Sequence, residues 1–287
     1  MKLAAEAPAK INRELRVGRI RPDGFHEVFS RMVSIDVGDR ITVEPAQELV
    51  LTCDDPAVPL GEDNLVVRAA RRLAEKAGVP AHARIHLEKR TPMGGGLGGG
   101  SADAGVTLLL LAELWRCRDS ALDALPDLAA RLGSDVPFFL RGGQADVRGR
   151  GELVSPVGDA PAEPLLLLVP PFSISTAAVY RAYAGRGRLP ERLDVDSPGR
   201  REYLGPNDLG AAVLQVEPRM EDYLASAARV ADEHAISGSG STIVLARVRP
   251  GAREELERRH PQARLLSCAT LTRDSYRLRT RPHGGSP

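Results

Sequence analysis

A run of glycine between a strand pattern and an apolar helix pattern restricts this chain more than any other feature. Residues 91–101 read Thr91-Pro92-Met93-Gly94-Gly95-Gly96-Leu97-Gly98-Gly99-Gly100-Ser101, and six of the seven residues 94–100 are glycine. Ordering glycine costs more conformational freedom than ordering any other residue, so such a cluster needs a reason. Before the run, Arg84-Ile85-His86-Leu87-Glu88 alternates as a strand with one wet face. Behind it, residues 102–115 are nearly all apolar, the mark of a helix buried all round. A flexible linker has a similar composition, but a linker does not ordinarily join a strand to a buried helix. The other reading is an anion cradle, in which bare backbone N–H groups wrap a phosphate at the positive end of a helix.

The type of cradle is narrowed by what is missing. A Walker loop ends in Gly-Lys-Ser/Thr, and here Gly100 is followed directly by Ser101. G-x-G-x-x-G is matched at Gly94, Gly96 and Gly99, but in so glycine-rich a run that match is nearly automatic. The preceding strand alternates, unlike the apolar strand of a dinucleotide fold, and the acid about 20 residues on, Asp119, follows a helix. A dinucleotide fold is therefore set aside. Ser101 reads as an N-cap and, compatibly, as a hydroxyl facing phosphate or Mg²⁺.

Elsewhere the chain reads as mixed α and β. Leu15 and Val17, then Val33, Ile35 and Val37, alternate around the turn Arg21-Pro22-Asp23-Gly24, and Ile41 with Val43 suggests a further short strand. Helices are predicted over 63–77 (N-cap Asp63 or Asn64, stop Gly78), 123–132 (ending at Gly133), 176–183, 207–230 and 250–259. Strands are predicted over 165–169, 242–248 and 263–271. The Gly-, Pro- and charge-rich stretch 141–162 marks a domain boundary, 185–206 reads as loop, and the polar end 279–287 reads as frayed.

Composition bounds the function class. Lys+Arg is 39 against 38 for Asp+Glu, so the overall basic excess of a nucleic-acid binder is absent. No apolar stretch approaches the length of a membrane span, and the N-terminus lacks a signal-peptide core, so a cytoplasmic protein is expected. Cys53, Cys117 and Cys268 form no C-x-x-C pair, and the six histidines show no metal spacing. Lysine is confined to Lys2, Lys10, Lys76 and Lys89.

Two residues carry candidate chemistry but have ordinary alternatives. Lys10, in Ala9-Lys10-Ile11-Asn12, reads equally as a surface lysine at a strand start. Asp135, in Gly133-Ser134-Asp135-Val136-Pro137-Phe138-Phe139, reads as a turn aspartate or as a general base partnered by a lysine. Phe25-His26 places an aromatic ring and an imidazole on a loop.

Taken in order, these segments, the glycine run and Ser237-Gly238-Ser239-Gly240-Ser241 resemble the GHMP small-molecule kinases over about residues 5–245. Within that family they are most similar to the branch acting on a cytidine-diphosphate-linked methylerythritol. The resemblance implies an α+β fold with an N-terminal mixed β/α domain, residues 1–155, that carries the ATP loop. A C-terminal ferredoxin-like domain, residues 156–287, follows, with the site in the cleft between them. It implies that ATP, with Mg²⁺, phosphorylates the 2-hydroxyl of the methylerythritol unit, a step in isoprenoid precursor synthesis. Residues 92–101 would hold ATP, with Ser101 as the hydroxyl placed for Mg²⁺. Asp135 would take the hydroxyl proton, and Lys10 would orient it and balance charge. Asn12, Phe25, His26, Tyr180, Gly238 and Gly240 would bind substrate. His26 would read the cytosine edge, with Phe25 (where the family has tyrosine) and Tyr180 as aromatic walls. The implied partner is a small molecule, with neither nucleic acid nor membrane, and the implied state is a monomer or homodimer.

The sequence departs from the family pattern at Arg13 and Glu14, at Ala102 in place of a serine, and at Gly210 in Asn207-Asp208-Leu209-Gly210. A kinase for mevalonate derivatives, homoserine or a sugar is the nearest alternative, and the segment 21–26 argues against it. A nucleotide-binding sensor without activity, or an RNA-binding protein of related N-terminal fold, are the alternatives from other classes.

Overall fold

The computed structural model describes residues 1–117, 122–187, 189–190, 193 and 204–284. Two sheets organise the chain. In the first, β1 (Leu3–Ile20) and β2 (His26–Glu44) form one long antiparallel hairpin closed by the turn at 21–24. The expected short strand at Ile41 and Val43 is the far end of β2, which stays extended from His26 to Glu44 through the register shifts of its ladder with β1. β2 pairs on its other side with β4 (Ala83–Glu88) and with β5 (Gln144–Gly149). β3 (Leu49–Cys53) runs parallel to β4, β6 (Leu153–Pro156) extends from β5, and β11 (His283–Gly284) pairs with β1. The stretch 141–162 thus contains two strands of the first sheet.

Helices α1 (Leu65–Ala77), α2 (Gly99–Leu114) and α3 (Leu125–Leu132) share one hydrophobic core with this sheet. Asn64 caps α1 by accepting from the Val66 N–H at 2.9 Å, and Gly78 ends it in a left-handed conformation. Ser101 is not the N-cap of α2. Gly98 adopts φ +71°, which glycine alone tolerates freely, and starts the helix earlier, leaving Ser101 inside its first turn.

The second sheet holds β7 (Pro164–Val169), β8 (Ala231–Ile236), β9 (Ile243–Val248) and β10 (Arg264–Ala269), in the order β10-β7-β9-β8, all antiparallel. Helices α4 (Thr176–Ala184), α5 (Gly210–Val216) and α6 (Met220–Val230) lie between β7 and β8 in sequence, and α7 (Ala252–Arg259) between β9 and β10. This βαββαβ order is ferredoxin-like. The single helix predicted over 207–230 is two, because Pro218 has no N–H to continue α5.

The chain end is not frayed through residue 284. α8 (Arg273–Thr280) returns to the first sheet, where buried Tyr276 donates its hydroxyl to the Phe139 carbonyl at 2.6 Å and Arg279 pairs with Glu6 at 2.5 Å. The polar sequence conceals this because a single aromatic side chain carries much of the anchorage. Most of the stretch 185–206, read as loop, lies outside the described residues.

A third apolar cluster joins the sheets: Ala9, Ile11, Val33 and Ile35 from β1 and β2 meet Leu165, Leu167 and Val244 from β7 and β9. Leu97, the non-glycine member of the run, is buried in it. The glycine run is thereby fixed at the junction of the two sheets.

Candidate active site

β1 places the first site residues by irregularity. Its register with β2 shifts between Pro8 and Lys10 and again between Asn12 and Glu14, so bulges flank the segment that carries Lys10 and Asn12. Bulges re-aim side chains, and here two side chains of one face turn toward the glycine run. Lys10 is 3% exposed. Its ammonium donates to Asn12 Oδ1 at 2.6 Å and to the Gly96 carbonyl at 3.0 Å, and lies 3.5 Å from Asp135 Oδ2. It is not a surface lysine. The Asn12 amide is oriented by Ser30, which accepts from Nδ2 at 2.7 Å and itself donates to the Glu14 carbonyl at 2.8 Å.

Asp135 sits where α3 has ended and a 3-10 turn, Val136–Leu140, begins. Val136, Phe138 and Phe139 are fully buried and hold that turn, while the Asp135 side chain keeps 31% exposure. The carboxylate is fixed from behind by apolar packing, touches a buried cation on one side and stays reachable from solvent.

The glycine run is packed on one side and open on the other. Gly96 has φ +75°, and a Cβ there would lie 2.1 Å from the Ser237 carbonyl oxygen. The Gly96 carbonyl accepts from both Lys10 and the Ser237 hydroxyl, and the Gly95 carbonyl accepts from the Thr242 N–H. A Cβ on Gly100 would meet nothing within 4 Å. Among the described residues, the N–H groups of 96–101 donate to no protein acceptor. That row of unused donors at the start of α2 is what an anion cradle requires. Pro92 is half-buried and Met93 exposed at its entrance.

The second glycine segment closes on the first. Asn207 Nδ2 donates to the carbonyls of Ile236 and Gly238 at 2.8 and 2.7 Å. A Cβ on Gly238 would lie 3.3 Å from Asn12 Oδ1 and 3.5 Å from Lys10 Nζ. Gly240 is different: its Cβ position faces Ile174, Ile236 and Val213, so close packing against the core uses it.

His26 lies between tyrosines, with ring centroids 5.2 Å from Tyr180 and 6.1 Å from Tyr183. It is buried, and its Nδ1 has no partner among the described residues. Burial lowers its pKa below the ordinary value, so at pH 7 the ring is neutral, with one nitrogen a donor and the other an acceptor. Burial, then the Asp135 charge, raises the Tyr180 phenol well above its usual range and keeps it protonated. Tyr180 therefore packs on His26 and lies within reach of the Asp135 charge. Phe25 is half-exposed, with the Arg150 guanidinium 5.0 Å from its ring centre.

The comparisons with known proteins point the same way. The model of the GHMP kinases N terminal domain matches residues 64–143. A 4-diphosphocytidyl-2-C-methyl-D-erythritol kinase of Salinibacter ruber is 41% identical over 251 residues, covering 84% of this chain and 88% of that protein. One from Kineococcus radiotolerans is 37% identical over 274 residues, covering 88% and 84%. The chain belongs to the GHMP kinase family, on its 4-diphosphocytidyl-2-C-methyl-D-erythritol kinase branch. A crystal structure of 4-(cytidine 5'-diphospho)-2C-methyl-D-erythritol kinase superposes with TM-score 0.76 at 33% identity, covering 93% of this chain and 98% of that one. Homoserine kinase from Cytophaga hutchinsonii, with TM-score 0.67 at 17% identity over 95% and 94% of the two chains, shares the fold.

The departures from the GHMP kinase pattern at Arg13 and Glu14 have local explanations, and nothing in the structure explains Ala102. Arg13 is buried because it pairs with Glu163 at 2.7 Å, and Glu14 pairs with Arg16, which reaches Asp208. Asp208 also accepts from the Val17 N–H, so Asn207 and Asp208 together tie β1 to the second glycine segment. Nothing in the structure requires an acid at Gly210. Asn207, Ser30 and Ser237 were not singled out as site residues from sequence. Asn207, within its four-residue motif, and Ser237, at the start of the second glycine segment, carry a usable signal, and Ser30 carries none.

Behind the loop lies the other buried lysine. Lys89 pairs with Asp39 and, at 2.7 Å, with Asp103 of α2. Burial pushes the Asp103 carboxyl up to about 8, the Asp39 charge adds to this, and Lys89 opposes it. Burial works against the Lys89 charge, and the two carboxylates more than offset it.

Proposed function

We propose that this chain transfers the γ-phosphoryl group of ATP to the 2-hydroxyl of 4-diphosphocytidyl-2-C-methyl-D-erythritol. The observation that carries the chemistry is Asp135, held 3.5 Å from a buried Lys10 that is itself bonded to the glycine run. Phosphoryl transfer is mostly positioning and charge stabilisation. The free N–H groups of 96–101 take the ATP phosphates, and Lys10 adds positive charge where the transferring group becomes most negative. Asp135 accepts the proton as the substrate oxygen attacks phosphorus, and the bond to the ADP oxygen breaks. Within the family, this substrate is favoured over mevalonate or homoserine by the His26–Tyr180 wall, whose unpartnered buried Nδ1 suits a polar base edge.

A magnesium ion fits this site as a companion of ATP. Among the described residues no group of three or more His, Cys, Asp or Glu could hold a metal. Mg²⁺ typically takes one or two protein oxygens and completes its shell with phosphates and water. The Ser101 hydroxyl, which bonds to nothing among the described residues, would be its protein ligand. The ion would neutralise phosphate charge.

The same reading takes residues 1–155 and 156–287 as the two units, although α8 and β11 of the second pack on the first sheet. It places the protein in the cytoplasm as a monomer or homodimer. In support of a reducing compartment, all three cysteines are free.

The cytosine assignment is tested by steady-state kinetics of His26→Ala. Loss of a hydrogen bond made inside a buried site should raise KM for the cytidine substrate about tenfold. KM for ATP should stay unchanged. Equal rises in both would remove His26 from substrate reading.

A further inference from the structure

The Asp39–Lys89–Asp103 cluster is used by no step above, yet it sits at both ends of the glycine run. Asp39 comes from β2 and is completely buried. Its Oδ1 accepts from the N–H groups of Arg90 at 2.6 Å and Thr91 at 2.8 Å, the residues that lead the chain into the run. Its Oδ2 accepts from Lys89. The same ammonium donates at 2.7 Å to Asp103, in the first turns of α2, where the chain has left the run. The two ends also touch directly, since a Cβ on Gly99 would lie 2.9 Å from the Thr91 methyl carbon.

We infer that Lys89, with Asp39 and Asp103, is a positioning device that closes the base of the glycine run and sets its N–H groups for ATP. This rests on the ATP-dependent reading given above. A loop of bare glycines has no side chains to define its shape, so its geometry must be imposed at its ends. A buried cluster of hydrogen bonds around one ammonium suits that task, because displacing a member leaves polar groups unpaired away from water. None of the three side chains touches Lys10 or Asp135, and Asp39 lies against Gly99 of the run, so their effect is expected on ATP rather than on the acceptor alcohol.

The test compares Mg-ATP dissociation constants by calorimetry, and KM for both substrates, in the unsubstituted protein, Asp103→Leu and Asp103→Asn. Asp103→Leu deletes the tie at the exit and should weaken Mg-ATP binding about tenfold while KM for the acceptor stays within about twofold. Asp103→Asn keeps an oxygen for Lys89 and should restore binding to within about threefold of the unsubstituted protein. Should Asp103→Leu fail to fold, Lys89→Gln, which can serve only one of the two carboxylates well, carries the same expectation. Unchanged Mg-ATP affinity in the folded variant, or equal damage to both substrates, overturns the inference alone. Failure of the unsubstituted protein to bind Mg-ATP overturns the kinase reading and this inference with it.

Discussion

Replacing Asp135 with asparagine is expected to lower kcat about 10³-fold, the middle of the range for losing a positioned general base. ATP affinity should change less than about twofold, because no part of the glycine run leans on Asp135 and the amide is nearly isosteric. The fold should survive for a reason of magnitude. Stripping a partner from a fully buried ion pair costs about 3–5 kcal/mol. Here the stranded Lys10 keeps two neutral acceptors, Asn12 Oδ1 and the Gly96 carbonyl, and the Asp135 side chain is already 31% exposed. The loss should therefore be nearer the roughly 1 kcal/mol of a solvated pair. Lys10→Met should also lower kcat severely, and the double variant should be little worse than the worse single one, since the pair acts as a unit. Multiplicative losses, or near-normal turnover by Asp135→Asn, would remove the pair from the mechanism. Rapid-quench and steady-state measurements on the three variants decide this.

Replacing Gly96 with alanine is the second large effect. The residue has φ +75°, and the new methyl carbon would fall 2.1 Å from the Ser237 carbonyl oxygen and 3.0 Å from that of Gly240. The left-handed conformation alone costs roughly 1–2 kcal/mol for a residue with a side chain. The clash is with backbone, so no rotamer relieves it, and the run or the second glycine segment must move. Either movement shifts the carbonyl that holds Lys10. Gly96→Ala should therefore lower Tm by several degrees, lower kcat and raise KM for ATP. Gly100→Ala is the contrast. It has open space and lies in the first turn of α2, where alanine favours the helix by about 0.5–1 kcal/mol. It should leave Tm unchanged or slightly raised, and raise KM for ATP, because the proposed phosphate site is the open side of the run. Calorimetry with kinetics separates the two, and a wild-type Tm for Gly96→Ala would contradict the packing account.

The sequence was legible where one residue type has one dominant use. Glycine beside an apolar helix pattern marked a loop packed at the start of α2, Asn64 and Gly78 marked the ends of α1, and alternation marked the hairpin. It was less legible where two signals competed. Ser101 is a good N-cap, but Gly98 could start the helix first. The apolar spacing on either side of Pro218 continues as if one helix ran through. α8 has one buried aromatic residue in a polar octet, so no periodicity betrays it. The pairings across the fold left almost no trace in sequence, because residues 50 apart (Asp39 and Lys89) or 125 apart (Lys10 and Asp135) meet only once the strands of the first sheet are paired and its helices packed on it. The resemblance to a family suggests the roles proposed for Lys10 and Asp135. It did not supply the Asn207 tie or the Lys89 cluster.

Phosphorylation of a cytidine-bearing alcohol by Lys10, Asp135 and the glycine run is the expected activity. It is tested most directly by ADP release from purified protein with Mg-ATP, offered in turn 4-diphosphocytidyl-2-C-methyl-D-erythritol, mevalonate, homoserine and galactose. The expected result is turnover with the cytidine compound alone. Turnover with one of the other alcohols, and none with the cytidine compound, would leave a GHMP kinase but contradict the account of His26 and Tyr180 as the substrate wall.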